Sequence, residues 1–145
     1  MLQRRLGGDL AGPRDVIEQV ARDRKVFGSS LFQVWPYAAV ATHYLEGFTE
    51  RFRIAIDRAK ALFTLLEEHG RFRVEPVARG TNIYKLHVKD VDMEKYRAAL
   101  AERGIRIPRP NAEEPSRGVS LAINESINRK SAPELADVFI ESLPK

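Results

Sequence analysis

Residues 41–88 read ATHYLEGFTERFRIAIDRAKALFTLLEEHGRFRVEPVARGTNIYKLHV, and the fold turns on the change of apolar rhythm within them. Ala41, Leu45, Phe48, Phe52, Ala55, Ala59, Leu62 and Leu66 follow one another at alternating steps of four and three. That period lines them along one side of a long amphipathic helix with a wide apolar stripe. Glu50, Arg53, Asp57 and Lys60 fall on the opposite side as complementary neighbours. Each such pair adds about 0.2–0.5 kcal/mol to a helix. Ala41 to Leu66 reads as one helix, in whose interior Gly47 costs about 1 kcal/mol and leaves room for a bend. His69-Gly70 supplies the C-terminal stop.

After Gly70 the period drops to two. Phe72, Val74 and Pro76 alternate with charged residues, then Tyr84, Leu86 and Val88 alternate with Ile83, Lys85 and His87. Ala78-Arg79-Gly80-Thr81 between them suits a hairpin. Asp92 is a helix N-cap before Met93, Tyr96, Ala99 and Leu100, and Gly104 ends that helix. Ile105 and Ile107 read as a short strand stopped by Pro108 and Pro110, with a loop over 108–118. Val119, Leu121 and Ile123 alternate as another strand. Ser131-Ala132-Pro133-Glu134 is a capping box opening a helix whose apolar side is Leu135, Val138, Phe139 and Leu143. Upstream, Pro13 opens a charged helix over Arg14–Phe27, with Val16, Ile17 and Val20 on one side, and Gly28-Ser29-Ser30 breaks it. One-sided strands of this kind imply an α+β, two-layer fold. N-terminal helices lead into a small, mostly antiparallel sheet of about four strands with helices on one face.

The 145 residues suit one domain with an arm, and are few for a two-domain cofactor enzyme. The chain contains no cysteine, which removes disulfides, thiolate metal sites and cysteine nucleophiles. Three histidines, His43, His69 and His87, stand far apart in sequence, so no metal cluster is expected. Lysine and arginine number 24 against 20 acidic residues, for a net charge of +4 with no block of like charge. No signal peptide or membrane span is legible, and a cytoplasmic location is expected.

The residues do not assemble a self-contained catalytic site, and none is assigned a catalytic role. Lys25, at a helix end beside a Gly-Ser-Ser turn, has the placement of an anion ligand or of a solvated surface lysine. Phe32, Trp35 and Tyr37 cluster around Pro36, as a pocket wall or as core and subunit interface. Arg71, Arg73, Lys85 and His87 are expected on the open face of the sheet. They form a basic platform or, without interleaved aromatics, a solvated face. Asn124, Glu125 and Asn128 follow the last strand as site residues or as turn residues.

The stretch LGGDLAGPRDVIEQVARDRKVFGSSLFQVWPYAAVATHYLEGF resembles the segment joining the two domains of the beta-eliminating lyase and threonine aldolase family. These are pyridoxal-phosphate enzymes of fold type I. The matching pieces are Leu6-Gly7-Gly8, Gly12-Pro13, Arg24-Lys25, Gly28-Ser29-Ser30 and Gln33. Gly80-Thr81-Asn82-Ile83 resembles the family's Thr-Asn-led strand. The strand at Val119–Asn124 with the helix from Ser131 resembles its C-terminal end.

The resemblance implies that residues 1–33 are the inter-domain segment and connecting helix, and 34–145 the small C-terminal domain. It implies that the Schiff-base lysine and the ring-binding residues belong to a large domain preceding this chain's start. Arg4 and Arg5 stand near that lysine's place, and a guanidinium does not give up its proton to form an imine. Lys25 matches a lysine that holds the cofactor phosphate of a neighbouring subunit. Phe32 stands where the family carries an arginine, and Phe32 and Tyr37 are expected near the substrate. Arg117 is the candidate for the substrate carboxylate, although the direct register falls on Ser120. The expected function is then the C-terminal domain of a threonine-aldolase-like lyase acting on an amino acid, incomplete alone. Its partner is a second copy or a separate cofactor domain. Two other functions stay open: a small dimerising interaction module without enzymatic activity, and a basic RNA-binding domain.

Overall fold

The computed structural model describes residues 12–27, 35–110 and 118–144. Two compact units divide at Gly47/Phe48. The boundary expected at 33/34 lies outside the described residues.

In the first unit, α1 (Arg14–Val26) follows Pro13, whose carbonyl accepts the first helical bond from Ile17 N–H at 3.1 Å. α2 (Trp35–Leu45) contains no Asp, Glu, Lys or Arg. Neither helix buries a residue.

The second unit begins with α3 (Phe48–Glu68). The apolar rhythm that runs unbroken from Ala41 to Leu66 is therefore carried by two helices rather than one. Gly47 adopts φ 65°, a left-handed conformation that a right-handed helix does not contain. Downstream of the break the stripe is buried from Ala55 onward, whereas Phe48 is 41% exposed and Phe52 half-buried. Ala55, Ala59, Leu62, Phe63 and Leu66 are buried, and the polar side carries Glu50–Arg53 at 2.7 Å and Arg53–Asp57 at 3.0 Å.

β1 (Phe72–Pro76), β2 (Ile83–Val88) and β3 (Val119–Ala122) form one antiparallel sheet in the order β1-β2-β3. The register pairs Val74 with Leu86 and Tyr84 with Leu121. Phe72, Val74, Tyr84, Leu86, Val119 and Leu121 thus face one layer, where α3 and α5 (Ala132–Glu141) complete the core. Gly118 sets the entry to β3 at φ 69°, and a Cβ there would stand 2.6 Å from the Leu86 carbonyl oxygen. The residue must be glycine for β3 to pair this closely with β2.

The fold class is as expected, α+β with helices on one face of a small antiparallel sheet. Among the described residues, however, the sheet has three strands rather than about four. Ile105–Ile107 is not a strand. Ile107 is buried, but its carbonyl and that of Pro108 accept bonds from Arg97 Nε at 3.2 and 3.0 Å, and Pro108 has no N–H to offer a ladder. The apolar alternation records burial, and the hydrogen bonds go to a side chain.

α4 (Met93–Glu102) is capped as predicted, with Asp92 Oδ1 accepting from Glu94 N–H at 3.0 Å and Lys95 N–H at 3.2 Å. α5 carries the expected capping box, Ser131 N–H donating to Glu134 Oε2 at 2.8 Å. Tyr96 joins these helices: fully buried, its hydroxyl donates to the Phe139 carbonyl at 3.0 Å.

Candidate functional site

A pocket of about 480 Å³ opens in the second unit, at the edge of β3 that β2 does not cover. Its apolar lining includes Leu62, Phe63, Leu121, Ile127, Leu135 and Phe139, contributed by α3, β3, the following turn and α5. The turn is the 3-10 segment Glu125–Arg129. Arg103, Arg106, Arg129 and Lys130 also line the pocket, and among the described residues no acidic one does so.

These cations are positioned by identifiable contacts. Asn124 caps the 3-10 turn, its side chain accepting from Ser126 N–H at 2.9 Å. Arg51 then binds Glu125 Oε2 at 2.8 Å and Asn128 Nδ2 donates to the Arg51 carbonyl at 3.2 Å. Arg58 Nη1 donates to the carbonyls of Asn128 and Lys130 at 2.7 and 2.9 Å. α3 therefore anchors the backbone on both sides of Arg129 and leaves the side chains of Arg129 and Lys130 without an ion-pair partner among the described residues. Arg106 is likewise without one, whereas Arg103 is paired with Glu141. Asn124, Glu125 and Asn128 act as turn and anchor residues, and Asn124 also lines the pocket, so it takes both of the roles its sequence allows.

β3 adds its own backbone. Tyr84–Leu121 and the bond from Ile123 N–H to the Asn82 carbonyl at 2.9 Å direct Leu121 and Ile123 toward β2. The alternation of an antiparallel ladder directs the N–H groups of Ser120 and Ala122 to the free edge, on the pocket side.

Comparison with known proteins found no matching family model, curated protein or solved structure.

The expected site residues fall in separate places. Lys25 is exposed in the last turn of α1, where its charge suits the helix C-terminus. Tyr37 is 55% exposed in the first turn of α2, near Trp35, which is 72% exposed, so this end of the aromatic cluster is not core. Phe32 and Arg117 lie outside the described residues, as do Arg4 and Arg5. Ser120, the register position, lines the β3 pocket.

The open face of the sheet is less basic than its sequence suggests. Arg73 pairs with Glu75, Glu75 stands opposite Lys85, and His87 Nε2 lies 3.4 Å from Glu75 Oε2 without hydrogen-bond alignment. Arg71 is committed elsewhere, clamping the carbonyls of Lys89 and Asp90 at 3.1 and 2.8 Å. One carboxylate among three basic groups leaves a face without the unbroken cationic track of a phosphate-backbone site. Sequence reading singled out this face and missed the β3 pocket. The pocket draws Arg103, Arg106 and Arg129 from two segments far apart in the chain, and no local spacing links them.

Pyridoxal phosphate needs an imine-forming lysine, an acid for the ring nitrogen and a stacking group. The pocket has one lysine, Lys130, and no acid, so the described residues do not fit the whole cofactor. No cluster of three or more potential metal ligands exists among the described residues, and no described helix is long and apolar enough to cross a membrane.

Proposed function

We propose that this chain is the C-terminal domain and connecting helix of a threonine-aldolase-like lyase acting on an amino acid, with the cofactor ring and the imine-forming lysine held by a separate large domain. The observation that carries the reading is architectural. A charged helix ending in Arg24-Lys25 precedes a helix-and-antiparallel-sheet layer. The helices α3 and α5 cover one face of that layer only. This is the order of parts the resemblance implies. In it Lys25 contacts the cofactor phosphate, and Tyr37 stands near the substrate.

The test combines the chain with the cofactor domain of such a lyase. Alone, the chain is expected to give no cofactor-imine band at roughly 410–430 nm when pyridoxal phosphate is added. With the large domain, cleavage of a β-hydroxy amino acid should appear. Lys25→Ala should weaken cofactor binding about tenfold, the worth of one charge-assisted phosphate contact. A stoichiometric imine band from the chain alone, or no association with any such domain, would sink the proposal.

A second reading, an interaction module that self-associates, is favoured by α2. Its eleven residues are uncharged, and Trp35, Tyr37, Val40, Tyr44 and Leu45 are exposed. An uncharged exposed helix lowers its free energy by finding a partner. Sedimentation of the chain should show a concentration-dependent dimer that Trp35→Glu with Val40→Glu dissociates. A monomer at all concentrations would remove this reading.

A further inference from the structure

We propose that the pocket beside the free edge of β3 binds a small organic anion with an apolar body, a medium-chain or aryl carboxylate, whose charge is held by Arg106 and Arg129. The inference stands apart from the lyase reading, because it uses only residues of the second unit.

Size comes first. A volume of about 480 Å³ lies within the roughly 300–1,000 Å³ of small-ligand sites. The lining is divided by chemistry. Leu62, Phe63, Ile127 and Leu135 supply an apolar surface that favours a hydrocarbon or ring over a wholly polar ligand. Charge is the second observation. Among the described residues, four basic side chains and no acidic one line the pocket. Of these, Arg103 is neutralised by Glu141 and Lys130 lies within the field of the Glu134 carboxylate, while Arg106 and Arg129 have no ion-pair partner among the described residues. Collecting unpaired cations at an apolar opening raises the local potential, and an anion relieves it. The third observation is the strand edge. The N–H groups of Ser120 and Ala122 point out of the ladder toward the pocket and are donors suited to a carboxylate.

These features select a carboxylate over a larger polyanion. A nucleotide phosphate site gathers consecutive backbone N–H groups at a glycine-rich turn or helix N-terminus. Here the edge donors belong to alternate residues of a strand. The guanidinium groups match a single planar carboxylate in a bidentate manner.

Octanoate, used well below its micellar concentration, is the probe, with octanamide as its uncharged counterpart. Titration of the full chain, followed by calorimetry and by backbone amide shifts, should saturate. The shifted amides should cluster at Gly104–Arg106 and Ser120–Asn124. Octanamide should bind at least about tenfold more weakly, because it cannot form charge-assisted bonds. Arg106→Gln and Arg129→Gln should each weaken octanoate about three- to tenfold while leaving octanamide unchanged. Neither arginine has an ion-pair partner among the described residues, so unaltered amide shifts elsewhere will show that the variants remain folded. Non-saturable binding, equal affinity for the amide, or wild-type octanoate affinity in both variants would each overturn the proposal. Each outcome is read without cofactor or second domain, so a failed lyase reading leaves the result interpretable.

Discussion

Tyr96 shows how much one side chain contributes at the residue scale. Its ring is fully buried and lies 6.4 Å from that of Phe72, and its hydroxyl serves the Phe139 carbonyl in the last turn of α5. Helix ends leave carbonyls without intrahelical donors, so this bond supplies what α5 lacks. Tyr96→Phe should cost about 0.5–1.5 kcal/mol in chemical denaturation, with the fold unchanged. Burial also pushes the Tyr96 phenol well above its usual range near 10. The native state therefore keeps the proton that the unfolded chain releases above pH 10, and stability should fall as pH rises beyond that value. In Tyr96→Phe the alkaline fall should be shallower, and identical alkaline limbs for both proteins would contradict the argument. Carboxylates act in the opposite direction. Backbone N–H donation from Lys95 holds Asp92 below its ordinary value of 3.8, and the Ser131 hydroxyl bonded to Glu134 holds that carboxyl below 4.5. Depressed values mean stabilisation that is complete above the ordinary values and is lost as pH falls through them. Melting temperature should accordingly drop below about pH 4.5, and Asp92→Asn with Glu134→Gln should flatten that drop.

At the scale of elements, β3 depends on the conformation of one glycine. Gly118 combines φ 69° with a carbonyl oxygen 2.6 Å from where a Cβ would sit, so Gly118→Ala meets both strain and collision. The expected loss is at least about 2 kcal/mol, with Val119–Ala122 amides losing protection first in hydrogen exchange. Such a need is hard to read from sequence, because Gly118 follows Pro110 and Pro115 in a stretch that any reader assigns to a loop. The elements themselves were largely legible where burial and hydrogen bonding agree. The Asp92 cap, the Ser131–Glu134 box and the one-sided strands β1 to β3 all follow from residue type and spacing. Legibility failed where the two diverge. Alternation placed a strand at Ile105–Ile107, yet Arg97 takes the carbonyls of Ile107 and Pro108. Spacing joined Ala41 to Leu66 in one helix, since periodicity reports which face a residue occupies and not whether the backbone is continuous through Gly47.

For the whole molecule, the same distinction separates what sequence could and could not disclose about the site. Lys25 was legible because a helix end and a turn are local. The β3 pocket was not, because Arg106 and Arg129 come to line one pocket only after the chain has folded around Leu121 and Ile127. All of that folding lies in the second unit. Among the described residues, every buried core residue falls between Ala55 and Phe139, whereas α1 and α2 bury none. Since apolar burial is the main favourable term in folding, residues 48–145 should hold nearly all the stability. A polypeptide beginning at Phe48 is expected to melt cooperatively within about 3 °C of the full chain, a shift equivalent to well under 1 kcal/mol for a domain of this size. Amides of α1 and α2 in the full chain should exchange orders of magnitude faster than those of α3 and the sheet. Octanoate should bind the shortened protein as it binds the full chain, since the pocket's lining comes from residues 62–139. A fall of 10 °C or more on removing residues 1–47, or loss of the pocket's ligand, would mean that the first unit supports the second energetically although α1 and α2 bury no residue.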